Sequence, residues 1–315
     1  MAEKIRNIIP IVFSVDDNYA PFLGVALSSI KENASDENFY KIYVLNTEIS
    51  EGNKAKLSSY NSDNFLVKFV DVAGRMDKIN KDKIHLRDYY SKAIYYRIFI
   101  PSLFPDYEKI LYIDCDVVVL QDIANLYNTD VKGNIFVAMH EETMTEMDVF
   151  GRYSEEFLGV KRENYFNSGI LLINCEEYDK ANIEERFINF MHKYKFEVAP
   201  DQDYLNVLCK DRIKYLDVGW NKTPFPNRPF DDKDLRLIHY KLNFKPWHYS
   251  GVRYEEYFWK YAKLSPFYTE LYEMLLNFSD KERRLETQAF ITLQNTALRY
   301  IGGQDNYKTF FKEKA

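Results

Sequence analysis

Residues 110–120, ILYIDCDVVVL, set the strictest condition on how this chain can fold. Nine of the eleven positions are apolar or cysteine, the composition of a strand covered on both faces. Asp114 and Asp116 stand one residue apart inside that run. Burying one unpaired carboxylate costs several kcal/mol, roughly, and two close together also repel. The segment is a strand only if something compensates both acids.

The rest of the chain gives such a strand ample company. Its 315 residues are 46% hydrophobic and 29% charged, enough for a sizeable core. A net charge of -6 with no dominant Lys/Arg run argues against a nucleic-acid partner. Cys115, Cys175 and Cys209 form no CxxC pair and sit in apolar stretches, as buried thiols of a reducing compartment do. The N-terminal apolar run is interrupted by Pro10, closed by Asp16–Asp17, and too short to span a bilayer. A cytoplasmic protein, peripheral to the membrane at most, is the expectation.

Strand-length apolar runs alternate with helical patterns. Strands are expected over 8–15, 41–46, 65–72, 110–120, 134–140, 169–175, 213–219 and 235–240. Between the first two, Phe22, Val25, Ala26 and Ile30 recur at helical spacing. A polar-faced helix is expected at 51–61, a helix over 91–104 until Pro101, and further helices at 183–195 and 201–211. The alternation predicts an α/β fold with a mostly parallel sheet flanked by helices, whose ligands bind at the carboxyl ends of the strands. Beyond about residue 262 the pattern turns helical. Ser265–Pro266 reads as cap and first position of a helix running to Phe278, followed by one over 280–300. The division is a body, 1–262, and a C-terminal helical extension, 263–315.

Residues i and i+2 of a strand share a side, so both carboxylates converge while Cys115 points away. Two convergent carboxylates suit a divalent cation with oxygen ligands; the bland alternative is ion pairing to Lys109 or Arg97. DCDVV also fits the DxDx[TV] start of dehalogenase-like phosphatases. That motif belongs to a first strand, whereas three strands precede it here, and the later Asp231–Asp232 pair lies in a polar loop.

Five stretches in order carry a stronger likeness: IVFSVDDNYAPFLGVALSSI, YYRIFIPSLFPDYEKILYIDCDVVV, YFNSGILLIN, PDQDYLN and HYKLNFKPWH. Over roughly residues 8–260 the chain resembles glycosyltransferase family 8, the retaining, GT-A-fold (Rossmann-like) galactosyl- and glucosyltransferases of bacterial cell-surface glycans. The resemblance implies a UDP-sugar donor and a metal held by Asp114, Asp116 and His239. A mixed carboxylate–imidazole set suits Mn²⁺, with Mg²⁺ as second candidate. Lys245 matches the phosphate-binding lysine, Asp16 and Asn18 the uracil and ribose contacts, and Arg97 an arginine near the donor sugar. Cys115 contributes backbone only. Asn167, Asp201 and Gln202 match positions around the donor sugar, with Asp203 as an alternative carboxylate and Glu141 an acid near the sugar. An amide is a poor nucleophile, so Gln202 implies front-face transfer. Leu242 stands where the family has glycine, and the loop is expected to bend differently there.

The implied partners are a UDP-hexose (galactose or glucose) and a glycan or glycolipid acceptor, shaped by the irregular segments 141–166 and 221–234. Leu271, Leu275 and Phe278 are expected to pack on the body or form a homodimer contact, with peripheral membrane contact as the other option. A catalytically degenerate sugar-nucleotide-binding scaffold is the non-enzyme alternative; Leu242 supports it, and the intact acids, histidine and lysine oppose it.

Overall fold

The computed structural model describes residues 6–79, 84, 91–225 and 230–303, so positions 226–229 of the expected acceptor loop and 304–315 of the extension lie outside the described residues. Among the described residues nine strands form: β1 (Asn7–Ser14), β2 (Asn38–Asn46), β3 (Phe65–Asp71), β4 (Lys109–Ile113), β5 (Val117–Val119), β6 (Phe136–Ala138), β7 (Ile170–Asn174), β8 (Ile213–Tyr215) and β9 (Leu237–His239). Seven of them make the central sheet, in the order β3-β2-β1-β4-β7-β6-β8. All its pairs are parallel except those of β7, which runs against both β4 and β6.

Both faces are covered, and the strand alternation shows why. Ile9, Ile11 and Phe13 of β1, Leu111 and Ile113 of β4, and Ile170 and Leu172 of β7 enter one core. Val12, Ile110, Tyr112, Leu171 and Ile173 enter the other. The first core is roofed by helix α1 (Ala20–Glu32), which is buried from Ala20 to Ile30, and by Phe258, Tyr261 and Phe267 from the C-terminal part. The second is closed by the helices Ile183–Lys193 and Pro200–Cys209.

The expected strand over 110–120 is two strands. β4 ends at Ile113, and Asp114–Asp116 occupy the break. β5 then leaves the sheet and pairs antiparallel with β9, Val117 opposite His239. Strand geometry thus does not aim the two acids; the break does. Pro101 also acts otherwise than expected. Residues Lys92–Phe99 form 3-10 turns, and Pro101 sits in the first turn of a new short helix, Ile100–Leu103, where its missing N–H costs nothing.

In the extension, Ser265 Oγ accepts from the Phe267 N–H at 3.2 Å. The helix itself begins later than Pro266 and spans Tyr268–Asn277. The last helix, Asp280–Ile301, opens with a capping box between Ser279 and Glu282. Leu271 is fully buried and Phe278 stacks on His248 with centroids 3.9 Å apart, so these residues pack on the body. No helix among the described residues is long and apolar enough to cross a membrane.

Gly24 marks the closest approach of α1 to the extension: a Cβ there would meet the Phe267 ring and lie 2.7 Å from Ser265 Oγ. Gly24→Ala is expected to cost about 1–3 kcal/mol by overpacking. In urea unfolding this reads as a lower midpoint with unchanged slope; an unchanged midpoint means the extension does not dock on α1.

Candidate active site

The break after β4 opens into a cavity lined by Ser14, Asp16, Arg97, Asp114, Asp116, Glu141, Asn167, Asp201, Gln202 and His239, among others. Ser14 and Asp16 reach it from the end of β1, Asp114 and Asp116 from the break after β4, Asn167 from the approach to β7, Asp201 and Gln202 from the helix Pro200–Cys209, and His239 from β9. The Asp114 N–H donates to the Gly169 carbonyl at 2.7 Å, and the Tyr240 N–H to the Asp116 carbonyl at 2.9 Å, so backbone bonds fix both acids and His239. His239 Nε2 lies 3.2 Å from Asp116 Oδ1 and 3.8 Å from Asp114 Oδ2. One ligand atom from each of the three residues falls within 4.8 Å of the others. Two carboxylate oxygens and an imidazole nitrogen suit Mn²⁺ or Mg²⁺ by donor type.

Arg97 compensates the other flank. Its guanidinium bonds Asp114 Oδ1 at 3.0 Å, the Ser168 carbonyl at 2.5 Å and Ser168 Oγ at 3.0 Å, and Nε stands 3.3 Å from Asp201 Oδ2. The Tyr112 hydroxyl adds a 2.6 Å bond to Asp114 Oδ1. The acids are thus ion-paired through Arg97 and also grouped with His239 closely enough that the three could hold a cation; Lys109 instead donates to the Thr129 carbonyl. Burial raises the Asp114 pKa, with Arg97 and His239 opposing. Burial also pushes Asp116 upward, but the charge and hydrogen bond of His239, with Lys245 adding to them, hold it below its ordinary value. Lys245 is buried, which lowers its own pKa, while the charges of Asp116 and Glu286 work to raise it.

Gln202 Oε1 accepts from the Ser168 N–H at 2.8 Å, and Asp201 Oδ2 accepts from Ser168 Oγ at 3.1 Å. Asp203 does not face the cavity. Tyr165 at 2.5 Å, Tyr153 at 2.9 Å and the Ala199 N–H at 2.9 Å all donate to it, and burial pushes its pKa up to about 7. Glu141 pairs with Lys241 and accepts from Asn167 Nδ2 at 2.7 Å. Burial works to raise its pKa, yet Lys241 outweighs it and holds the carboxyl at about 2.

On the β1 side, Asp16 caps a turn by accepting from the Tyr19 N–H at 3.1 Å, and the buried Ser14 hydroxyl lines the cavity without a protein partner. Cys115 turns its thiol to the Ser14 carbonyl, 3.3 Å away. Asn18 is exposed, and neither it nor Lys245 lines the cavity wall. Leu242 does line it, at φ 57°. The leucine thus sits in the left-handed region that glycine favours, and it bears the strain.

Several residues here escaped the sequence reading. Ser168 ties Arg97, Asp201 and Gln202 together, Lys241 neutralises Glu141, and Asn221 bonds His239 Nδ1 at 3.0 Å. Ser168 and Gly169 lie inside the quoted YFNSGILLIN; Asn221 lies in an irregular loop with no pattern to mark it.

Two variants probe this geometry. A Cβ at Gly169 would lie 2.5 Å from His239 Cε1 and 2.6 Å from Asp114 Oδ2. Gly169→Ala is expected to weaken Mn²⁺ binding, measured by calorimetry, by more than about 10-fold, since even outer partners of a metal site matter that much. Glu141→Gln removes one partner of a buried pair and is expected to cost about 1–3 kcal/mol at neutral pH. The folded-state carboxyl titrates at about 2 against an ordinary 4.5. Its contribution is therefore complete above 4.5 and disappears as pH falls toward 2. Unfolding of wild type and variant should converge over that window; a pH-independent gap would mean the Lys241 pair is not its source.

The chain is similar to known proteins. The sequence profile of Glycosyl transferase family 8 matches residues 10–251. General stress protein A of Bacillus subtilis is 31% identical over 279 residues, covering 80% of this chain and 92% of that protein. Lipopolysaccharide 1,2-glucosyltransferase of Escherichia coli is 28% identical, covering 78% of this chain and 75% of that protein. Among solved structures, the galactosyltransferase LgtC in complex with donor and acceptor sugar analogues is 26% identical with a TM-score of 0.67, over 82% of this chain and 96% of that one. The mostly parallel sheet, its flanking helices and these matches make the chain a GT-A-fold member of glycosyltransferase family 8.

Proposed function

We propose that the protein is a retaining, metal-dependent hexosyltransferase that moves galactose or glucose from a UDP-sugar to a cell-surface glycan or glycolipid. The observation that carries this reading is the Asp114–Asp116–His239 cluster at the sheet's end, opening on the cavity that Gln202 and Glu141 also line. A bound Mn²⁺ or Mg²⁺ would act there as a Lewis acid on the departing UDP. Asp114, Asp116 and His239 would hold it, and Lys245, buried within electrostatic reach of Asp116, would add positive charge on the diphosphate side.

Arg97 commits its guanidinium to Asp114, Asp201, Ser168 and the Ile94 carbonyl, so its part is to fix the cavity floor. The acids near the sugar site support front-face transfer. Asp201 is paired to Arg97, Glu141 to Lys241, and Asp203 is enclosed by two tyrosines. Gln202, facing the cavity, is an amide and cannot form a glycosyl ester. The acceptor hydroxyl would then attack on the side from which UDP leaves. Asp16 and the unpartnered Ser14 hydroxyl suit the nucleoside, a carboxylate accepting from the uracil N3–H.

We assign residues 1–262 to the catalytic body and 263–315 to an extension. Three free cysteines suit a reducing, cytoplasmic setting. The lipopolysaccharide glucosyltransferase relative supports a surface-glycan acceptor.

The test is UDP release from a panel of UDP-sugars, with Mn²⁺ and with EDTA, and with Asp116→Asn as control. Release from one hexose donor that needs Mn²⁺ is expected, and the variant should lose more than about 100-fold, beyond what outer partners of a metal contribute. Full Mn²⁺-dependent release by Asp116→Asn would overturn the metal assignment. Tight UDP binding without release, with or without glycan acceptors, would favour the scaffold reading.

A further inference from the structure

The turn that carries Lys245 is fastened to a carboxylate far along the chain. The His248 and Tyr249 N–H groups both donate to the Lys245 carbonyl at 3.0 Å, so the segment from Lys245 to Tyr249 closes as one turn. The last two side chains of this turn converge on Glu286 of the helix Asp280–Ile301. His248 Nδ1 lies 2.8 Å from Glu286 Oε1, and the Tyr249 hydroxyl donates to Oε2 at 2.7 Å. Each carboxylate oxygen thus holds one residue of the turn. Asn243 Nδ2 adds a bond to the Glu286 carbonyl at 3.4 Å. Beside this contact the Phe278 ring stacks on His248, and the Arg283 guanidinium lies over both Tyr249 and Phe278.

Both sides of the contact are anchored. Trp247, inside the turn, is buried and its ring centre lies 4.3 Å from that of Phe22 of α1. The helix is held at its other end, where Arg299 and Tyr300 reach Glu197, and between the two by the buried Leu293 and Ala297. The Glu286 side chain is only 15% exposed. Lys245 is buried, and Asp116 and Glu286 are carboxylates whose charges act on it.

We infer that Glu286 is a positioning residue for the donor diphosphate: through His248 and Tyr249 its carboxylate fixes the turn from which Lys245 acts. The inference deepens the reading of the protein as a UDP-sugar transferase and rests on it. A lysine serves a diphosphate best when its backbone is already in place, because binding then carries no ordering cost. A carboxylate suits the task of clamp. Its two oxygens meet an imidazole and a phenol at once, and a helix docked at both ends keeps it from following the turn. Removing it leaves two partly buried polar groups without that partner, which frees the turn to take other positions. A residue beyond the family profile, which ends at 251, thereby contributes to donor binding.

The experiment compares UDP, by calorimetry, with uridine, by ligand-observed NMR, each at saturating Mn²⁺. Uridine lacks the diphosphate, so the ratio of the two affinities isolates the phosphate side, and mere loss of stability leaves that ratio alone. Glu286→Ala is expected to weaken UDP about 10-fold, the worth of one or two hydrogen bonds, with uridine unchanged. Glu286→Gln, which keeps the length and a hydrogen-bonding head, should recover most of the loss. A folded Glu286→Ala protein with an unchanged ratio overturns the inference, as does a Glu286→Gln protein as weak as Glu286→Ala, which would point to charge and not position. Amide exchange of the wild type gives an arm that needs no variant. The His248 and Tyr249 amides should be protected as strongly as those around Glu286, and much faster exchange in the turn overturns the clamp even if Glu286→Ala fails to fold. A wild type that binds no UDP with Mn²⁺ overturns the transferase reading and this inference with it; one that binds UDP while the ratio ignores Glu286 overturns this inference alone.

Discussion

Two negative charges held side by side at the end of a buried strand govern this structure. Asp114 and Asp116 cannot share a water-poor site unless cations or donors meet each of them. Arg97 and Tyr112 meet Asp114, and His239 with Lys245 meets Asp116. The chain path follows from this. β4 must stop at Ile113, because a continued strand would carry the acids onward between its neighbours. β5 must leave the sheet, and its pairing with β9 brings His239 opposite Val117, next in sequence to Asp116. Hydrophobic burial builds the sheet; charge compensation decides where it ends.

The same compensation extends around the cavity. Glu141 meets Lys241, Glu142 meets the buried Lys222 at 2.9 Å, and Asp203 meets two tyrosines. Buried pairs of this kind add little net stability, since desolvation offsets attraction. What they supply is a wall whose dipoles and charges are already oriented before any ligand enters, the property that makes electrostatic stabilisation effective. Gly169 belongs to this arrangement: it lets His239 and Asp114 come within a distance that any side chain would block.

Much of the architecture was legible in the sequence. The apolar runs marked the strands within a few residues, because continuous burial of β1, β4 and β7 leaves a plain compositional trace. The reversed direction of β7 was not legible, since an apolar run looks the same in either orientation. Nor was the break at Asp114, because the flanking apolar residues continue without a pause on both sides. Asp114, Asp116 and His239 could be named together only through the family likeness; a long stretch of chain separates the last two, and their meeting depends on the β5–β9 pair. Leu242 holds a φ of 57°, so the surrounding fold outweighs a side-chain preference of about 1–3 kcal/mol.

The extension shows how a sequence boundary can fail to be a boundary of the site. The family profile ends at residue 251, well before the last helix. Yet that helix touches the cavity surroundings at three points along its length. Glu286 accepts from Tyr249 at 2.7 Å and lies 2.8 Å from His248 Nδ1, beside the Lys245 loop. Leu293 lines the cavity, together with Phe150 and Val198. Arg299 and Tyr300 both reach Glu197 at 2.6 Å, in the segment that leads into Asp201 and Gln202. A single rigid helix thus links the lysine-bearing loop to the segment carrying the sugar-side residues. Any shift of one against the other must break a contact with this helix, which makes the extension a structural part of the active-site wall.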